Sequence, residues 1–253
     1  MAAFEEEYRQ IKPMLDRLIN GILIMKRIEI KGEENFIPAG GNIIVGNHIG
    51  SFKDVATIIK IVPRQVFFTA NKDIFTRKDF SRLVRDHMVL HLKNFGASLD
   101  LTLKPLKYLF VEFISSNIEK IGTIPVDLTG KKHLAIEKCQ EYVRKGRTII
   151  TLQGRGRIQK NYSFPYVAPF RAGPAVIAYN LLQDYGLNIP VTPVAMFGTH
   201  LAWVVAARIR IRVGEPLFIK NYVGPDKVMS INSFKDALEM RVKKMMMEII
   251  RAR

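Results

Sequence analysis

The chain has 253 residues, 48% of them apolar and 25% charged, and its 39 Lys and Arg against 23 Asp and Glu give a formal charge of +16. That composition excludes a disordered or collagen-like chain, and the single Cys139 excludes an internal disulfide and a multi-cysteine zinc site. No stretch of about 20 residues is uniformly apolar, so no spanning helix is expected. The opening MAAFEEEYRQ lacks the basic and apolar regions of a secretory signal.

Phe4, Tyr8, Ile11, Leu15, Leu18, Ile22 and Met25 recur at helical spacing, which predicts an amphipathic helix over residues 1–27 with Pro13 either kinking it or marking its first turn. Its apolar seam has two readings, packing on the domain or lying on a bilayer surface. Strands are predicted at 28–32, 42–47, 66–70, 123–127, 148–153, 189–197 and 208–216. Helices are predicted at 52–61, 78–93, 100–118, 132–145, 172–184 and 232–251. RIRIRV alternates strictly, the pattern of a strand with one wet face near a sheet edge. No internal repeat or Gly/Ser linker divides the chain. The alternation of strands and helices therefore predicts a single α/β layered domain over 28–253, with a mixed, largely parallel sheet flanked by helices.

The charge is uneven. From Lys131 to Arg171 ten basic residues face only Glu137 and Glu141, a local surplus of +8. Such a surplus is either a solvated face or a site for an anion, whether nucleic acid, acidic membrane or phosphorylated compound. Nothing resembles an RNA-recognition strand, a zinc finger or a basic zipper, so no nucleic acid is expected as partner.

The segment GNHIGSFKDVATII starts where the strand NIIVGN stops. Ser51 and Asp54 have the spacing of a capping box, with Ser51 predicted at the N-cap and accepting from the Asp54 amide. His48 lies six residues before Asp54. One reading is a loop histidine beside an ordinary cap. The other is a His–Asp dyad, the carboxylate fixing the imidazole tautomer while the other ring nitrogen takes a proton. The end of a sheet strand is where α/β folds bind ligands. His87 and His91 have zinc-like spacing without a third ligand in view, so no metal is expected.

With these segments in order, the chain resembles the glycerolipid acyltransferases, the family that includes 1-acylglycerol-3-phosphate acyltransferase. Asn47-His48-Ile49-Gly50-Ser51-Phe52-Lys53-Asp54 is similar to the family's Asn-His-x-Ser-x-x-Asp block, with one additional residue between His48 and Ser51. Ala70 to Phe75 resembles its Ala-Lys-x-Glu-Leu segment, and Gly122 to Asp127 its second block, with Asp127 where the family has Arg. Leu152-Gln153-Gly154-Arg155-Gly156-Arg157 falls where the family has Phe-Pro-Glu-Gly-Thr-Arg, and Pro169 to Gly173 resembles Pro-Phe-Lys-x-Gly. Ile189 to Val194 and Val213 to Pro216 complete the likeness, which runs from about residue 28 to the end. The stretch 76–118 reads as a helical insertion.

The resemblance implies acyl transfer from acyl-CoA or acyl carrier protein to a hydroxyl of a lysophospholipid or related lipid, with no resident cofactor. It makes His48 and Asp54 the catalytic pair. Asn47, Ser51, Lys72, Gln153, Gly154, Arg155, Arg157 and Arg171 become the substrate-binding candidates, with amides around Gly154 as donors to an oxyanion. The positive charge and the amphipathic ends predict a cytoplasmic protein held peripherally on an anionic membrane. A relative that binds lipid or CoA without turnover is the competing expectation, carried by the stretched His–Asp spacing and by Gln153.

Overall fold

The structure is a computed structural model and describes residues 2–92, 104–126, 132–202 and 205–252. Asp127 and the side chains of His87 and His91 fall outside the described residues. The chain gathers into two compact units, one of residues 15–67 and 136–253, the other of residues 1–14 and 68–135.

The larger unit holds a six-strand sheet. Its members are β1 (Lys26–Lys31), β2 (Asn42–His48), β5 (Thr148–Gly154), β6 (Pro190–Phe197), β7 (Ala207–Val213) and the short β8 (Leu217–Phe218). The order is β1-β7-β6-β2-β5, with β8 also paired to β6. β1 with β7, β2 with β6 and β2 with β5 are parallel, whereas β6 pairs antiparallel with β7 and β8. The sheet is thus mixed and mostly parallel, flanked by helices.

The apolar run of β2 does not alternate because neither face of that strand is wet. Ile43, Ile44 and Val45 are all fully buried, as expected for a central parallel strand. β7 does alternate, with Ile209, Ile211 and Val213 buried between partly exposed arginines. It is second from the edge, with β1 outside it, and Glu29 of β1 lies 3.5 Å from both Arg208 and Arg210.

α2 (Phe52–Ile61), α5 (Lys132–Arg144), α6 (Gly173–Tyr185) and α7 (Lys227–Arg251) follow their strands. α7 packs on β6, β7 and β2 through Phe234, Leu238, Val242 and Met246. It starts five residues before the expected 232, because Asp226 caps it by accepting from the Met229 amide at 2.8 Å. The predicted strand 208–216 stops at Val213, and Leu217 and Phe218 return to pair with β6 as β8.

α1 (Ala2–Ile22) is continuous through Pro13, which therefore does not mark its first turn. In the larger unit its last turns and the following residue bury Leu15, Ile19 and Leu23. The smaller unit pairs β3 (Val66–Asn71) in parallel with β4 (Thr123–Val126) over residues 68–71. α3 (Arg77–Leu92) and α4 (Lys104–Ile121) pack on each other there, with an Arg77–Glu112 ion pair between them. No helix of the described residues is long and apolar enough to cross a membrane.

Candidate active site at the carboxyl end of the second strand

β2 ends on His48, and the chain reverses into α2 within three residues. The reversal is made by Ser51, the one described non-glycine residue with positive φ (54°). A left-handed residue that is not glycine carries strain, which the surrounding contacts must hold. Gly50 abuts Thr199 so closely that a Cβ there would stand 2.4 Å from the threonine Cβ. These features shape the turn between His48 and Asp54.

The dyad closes. His48 Nδ1 lies 2.8 Å from Asp54 Oδ2, and the same oxygen accepts from the amides of Ile49 at 2.9 Å and Gly50 at 2.7 Å. Asp54 is fully buried, and His48 keeps 23% of its side chain exposed. A carboxylate oxygen that accepts from two amides also accepts the Nδ1 proton, leaving the Nε2 lone pair for chemistry. The capping box takes another form than predicted. Ser51 occupies the N-cap position, but its side chain makes no cap bond, and the Asp54 amide donates to the Ser51 main-chain carbonyl at 3.1 Å. The Asp54 carboxylate turns back to amides 49 and 50 instead.

Nε2 faces the turn that follows β5. Gly154 pairs in register with His48 at the end of the β2–β5 ladder, and its own Cβ position would meet the His48 carbonyl at 2.7 Å. Gly156 is buried, with its Cβ position 3.3 Å from His48 Nε2. Arg155 and Arg157 flank it with exposed side chains, and neither they nor Arg171 pairs with a carboxylate among the described residues. Arg155 and Arg157 thus put two guanidinium groups, with no carboxylate partner among the described residues, on the turn that His48 Nε2 faces, a cationic mouth of the sign that attracts a phosphate.

Other candidates support this mouth from below. Asn47 is fully buried, donating to the Met196 and Tyr166 carbonyls and accepting from the Met196 amide at 2.8 Å. Both ends of its amide are occupied, so its place is architectural, extending the β2–β6 pairing beneath His48. Gln153 is likewise buried, donating to Thr151 and accepting from the Arg171 amide at 3.0 Å. It fixes the chain at Arg171 rather than facing solvent. Lys72 opens a 3-10 turn in the smaller unit with an exposed side chain.

Lys53 and Thr199 escape the sequence reading. Lys53 is buried, donates to the Leu201 carbonyl at 2.8 Å, and has its pKa pushed down to about 8 by burial, with Lys26 nearby adding to the shift and Asp54 opposing it. No local pattern marks a lysine in Phe-Lys-Asp as buried, and Thr199 reaches the turn only through the sheet. Gly156 was visible only as the spacer between two arginines.

No family model matches the sequence, and comparison with curated proteins finds no significant match. Among solved structures the fold is similar to the crystal structure of the 1-acyl-sn-glycerophosphate (LPA) acyltransferase, PlsC, from Thermotoga maritima, with a TM-score of 0.57 at 17% identity. That likeness covers 98% of this chain and 82% of the other. At this identity it is a likeness of fold.

Proposed function

We propose that this protein is an acyltransferase that moves a fatty acyl group from an acyl thioester, acyl-CoA or acyl carrier protein, to a hydroxyl of a lysophospholipid or related lipid. The observation that carries the reading is the 2.8 Å His48–Asp54 contact with Nε2 facing the Arg155–Arg157 turn. The fold likeness to an acyltransferase supports it. In this reading Nε2 removes the acceptor hydroxyl proton as the oxygen attacks the thioester carbonyl. Asp54 holds the imidazole and stabilises its charged form. The tetrahedral oxyanion takes hydrogen bonds from amides of the 154–157 turn. Collapse breaks the carbon–sulfur bond, and the departing thiolate takes the proton back from His48. The products are an ester and a free thiol, with no cofactor consumed. Arg155 and Arg157 hold the acceptor's phosphate, and the anionic acceptor is met at the cytoplasmic surface of a membrane.

The test measures thiol release from acyl-CoA with a panel of lysolipids. His48→Ala is expected to lose about 10²–10⁴-fold in kcat. Arg155→Ala with Arg157→Ala is expected to raise KM for phosphorylated acceptors and leave unphosphorylated ones little changed. Absence of turnover with every acceptor and with either carrier, alongside tight lipid or CoA binding, would establish the non-catalytic reading instead.

A further inference from the structure

The edge of the sheet that carries His48 also carries an exposed apolar tip. β6 ends at Phe197, β7 starts at Ala207, and β1 starts at Lys26 beside it, so residues 23–25, 198–202 and 205–206 lie at the same edge as the end of β2. Ile24 is 76% exposed, Met25 46%, Val205 46% and Leu201 38%. Large aliphatic side chains gathered at one edge of a strongly cationic protein need an account.

The tip is built, not frayed. Lys26 donates to the Ala202 carbonyl at 2.7 Å and to the Val205 carbonyl, and the Ala207 amide donates to the Met25 carbonyl at 3.0 Å. The 23–25 turn is thus tied to Ala202, Val205 and Ala207. Immediately behind them Arg27 and Arg208 stand side by side in register with exposed side chains, sharing the single carboxylate of Glu29. Aliphatic residues in front and guanidinium groups one step behind fit a bilayer interface, the first entering the acyl boundary and the second resting among anionic headgroups.

We infer that Ile24, Met25, Leu201 and Val205, backed by Arg27 and Arg208, are the surface by which this protein docks on an anionic lipid bilayer. The inference deepens the acyltransferase reading and rests on it for its purpose: an enzyme whose acceptor is a lipid must meet that lipid at a surface. It also explains the loop's connection to the dyad. Lys53, adjacent to Asp54, holds the Leu201 carbonyl, and Thr199 packs on Gly50. The docking tip and the His48–Asp54 turn are two ends of one braced segment. A second copy of this chain is a poorer occupant, because both copies carry +16.

The experiment uses the full chain with sedimenting vesicles of phosphatidylcholine, alone and mixed with phosphatidylglycerol. The parent is expected to sediment with the mixed vesicles and to stay in solution with phosphatidylcholine alone. Ile24→Ser with Val205→Ser removes two side chains already facing water, so folding is spared. This variant is expected to bind at least about tenfold more weakly, because each serine forfeits an apolar side chain's transfer from water. Met240→Ser, at a 69% exposed position on α7, is expected to bind as the parent does. With acceptor dispersed in detergent, the double variant is expected to turn over like the parent. Equal binding by the double variant, equal loss by Met240→Ser, or no vesicle binding by the parent would overturn the inference. So would a concentration-dependent dimer that the double substitution dissolves. Vesicle binding without acyl transfer would sink the enzymatic reading and leave the docking surface standing.

Discussion

At the scale of single residues, the glycine between two arginines has the sharpest consequence. Gly156 sits at φ 70° with its Cβ position 3.3 Å from His48 Nε2 and 3.1 Å from the Ser51 Cα. Gly156→Ala therefore strains the turn and crowds the nitrogen that, in the proposed reaction, must reach a hydroxyl. Turnover is expected to fall on the order of 10²-fold, as for other small displacements of reacting groups, while circular dichroism stays that of the parent. Lys53 makes a second residue-scale prediction. Burial lowers its folded pKa from 10.5 to about 8, so between those values the unfolded chain binds the proton and the folded chain does not. Stability then rises with pH across that window, the charge's burial cost being fully present below about pH 8. Lys53→Met removes the titration. Urea denaturation at pH 7.5 and 10 is expected to show the parent gaining on this variant by about 1–3 kcal/mol, and parallel pH curves would contradict it.

At the scale of elements, the loop between β2 and α2 is decided by its contact with the loop after β6. Gly50→Ala would place a methyl group 2.4 Å from the Thr199 Cβ and 2.7 Å from its carbonyl carbon. It is expected to cost about 1–3 kcal/mol by denaturant midpoint, as overpacking does. Adding Thr199→Gly is expected to recover only part, because the main-chain clash remains. This contact also marks how far local sequence could be read. The α2 boundaries 52–61 and the buried run of β2 were legible because helical and strand periods are local properties. The α7 start at Lys227 was legible in principle from Asp226, a capping residue six positions before the predicted start at 232. The form of the cap at Ser51 was not, since which oxygen meets the Asp54 amide depends on a backbone torsion stabilised by distant chain. Asn47 and Gln153 stood in motif positions, yet their amides face main chain of β6 and of the Arg171 segment. The sign of their environment comes from strands more than a hundred residues away for Asn47 and from a loop for Gln153, neither encoded nearby.

At the scale of the molecule, charge and burial divide the work. The surplus of +16 draws the protein towards anionic surfaces from any side, and salt weakens that attraction. In the docking we infer, the apolar tip sets the orientation, and ionic strength leaves its effect in place. In the interior, Cys139 on α5 is buried and its thiol is pushed up to about 12 by that burial, against the opposing pull of Lys138. A thiol reagent near neutral pH is therefore expected to label it only as the chain opens, which makes it a gauge of melting. His48 and Gly154 close the same rung of the β2–β5 ladder, so the imidazole and the arginine turn are borne by adjoining strands of one buried sheet. Heat has no cheap way to detach one half of the centre from the other. Loss of the proposed acyl transfer and Cys139 labelling should share one midpoint on warming, and transfer lost many degrees earlier would mean that the two halves are joined only by their side chains.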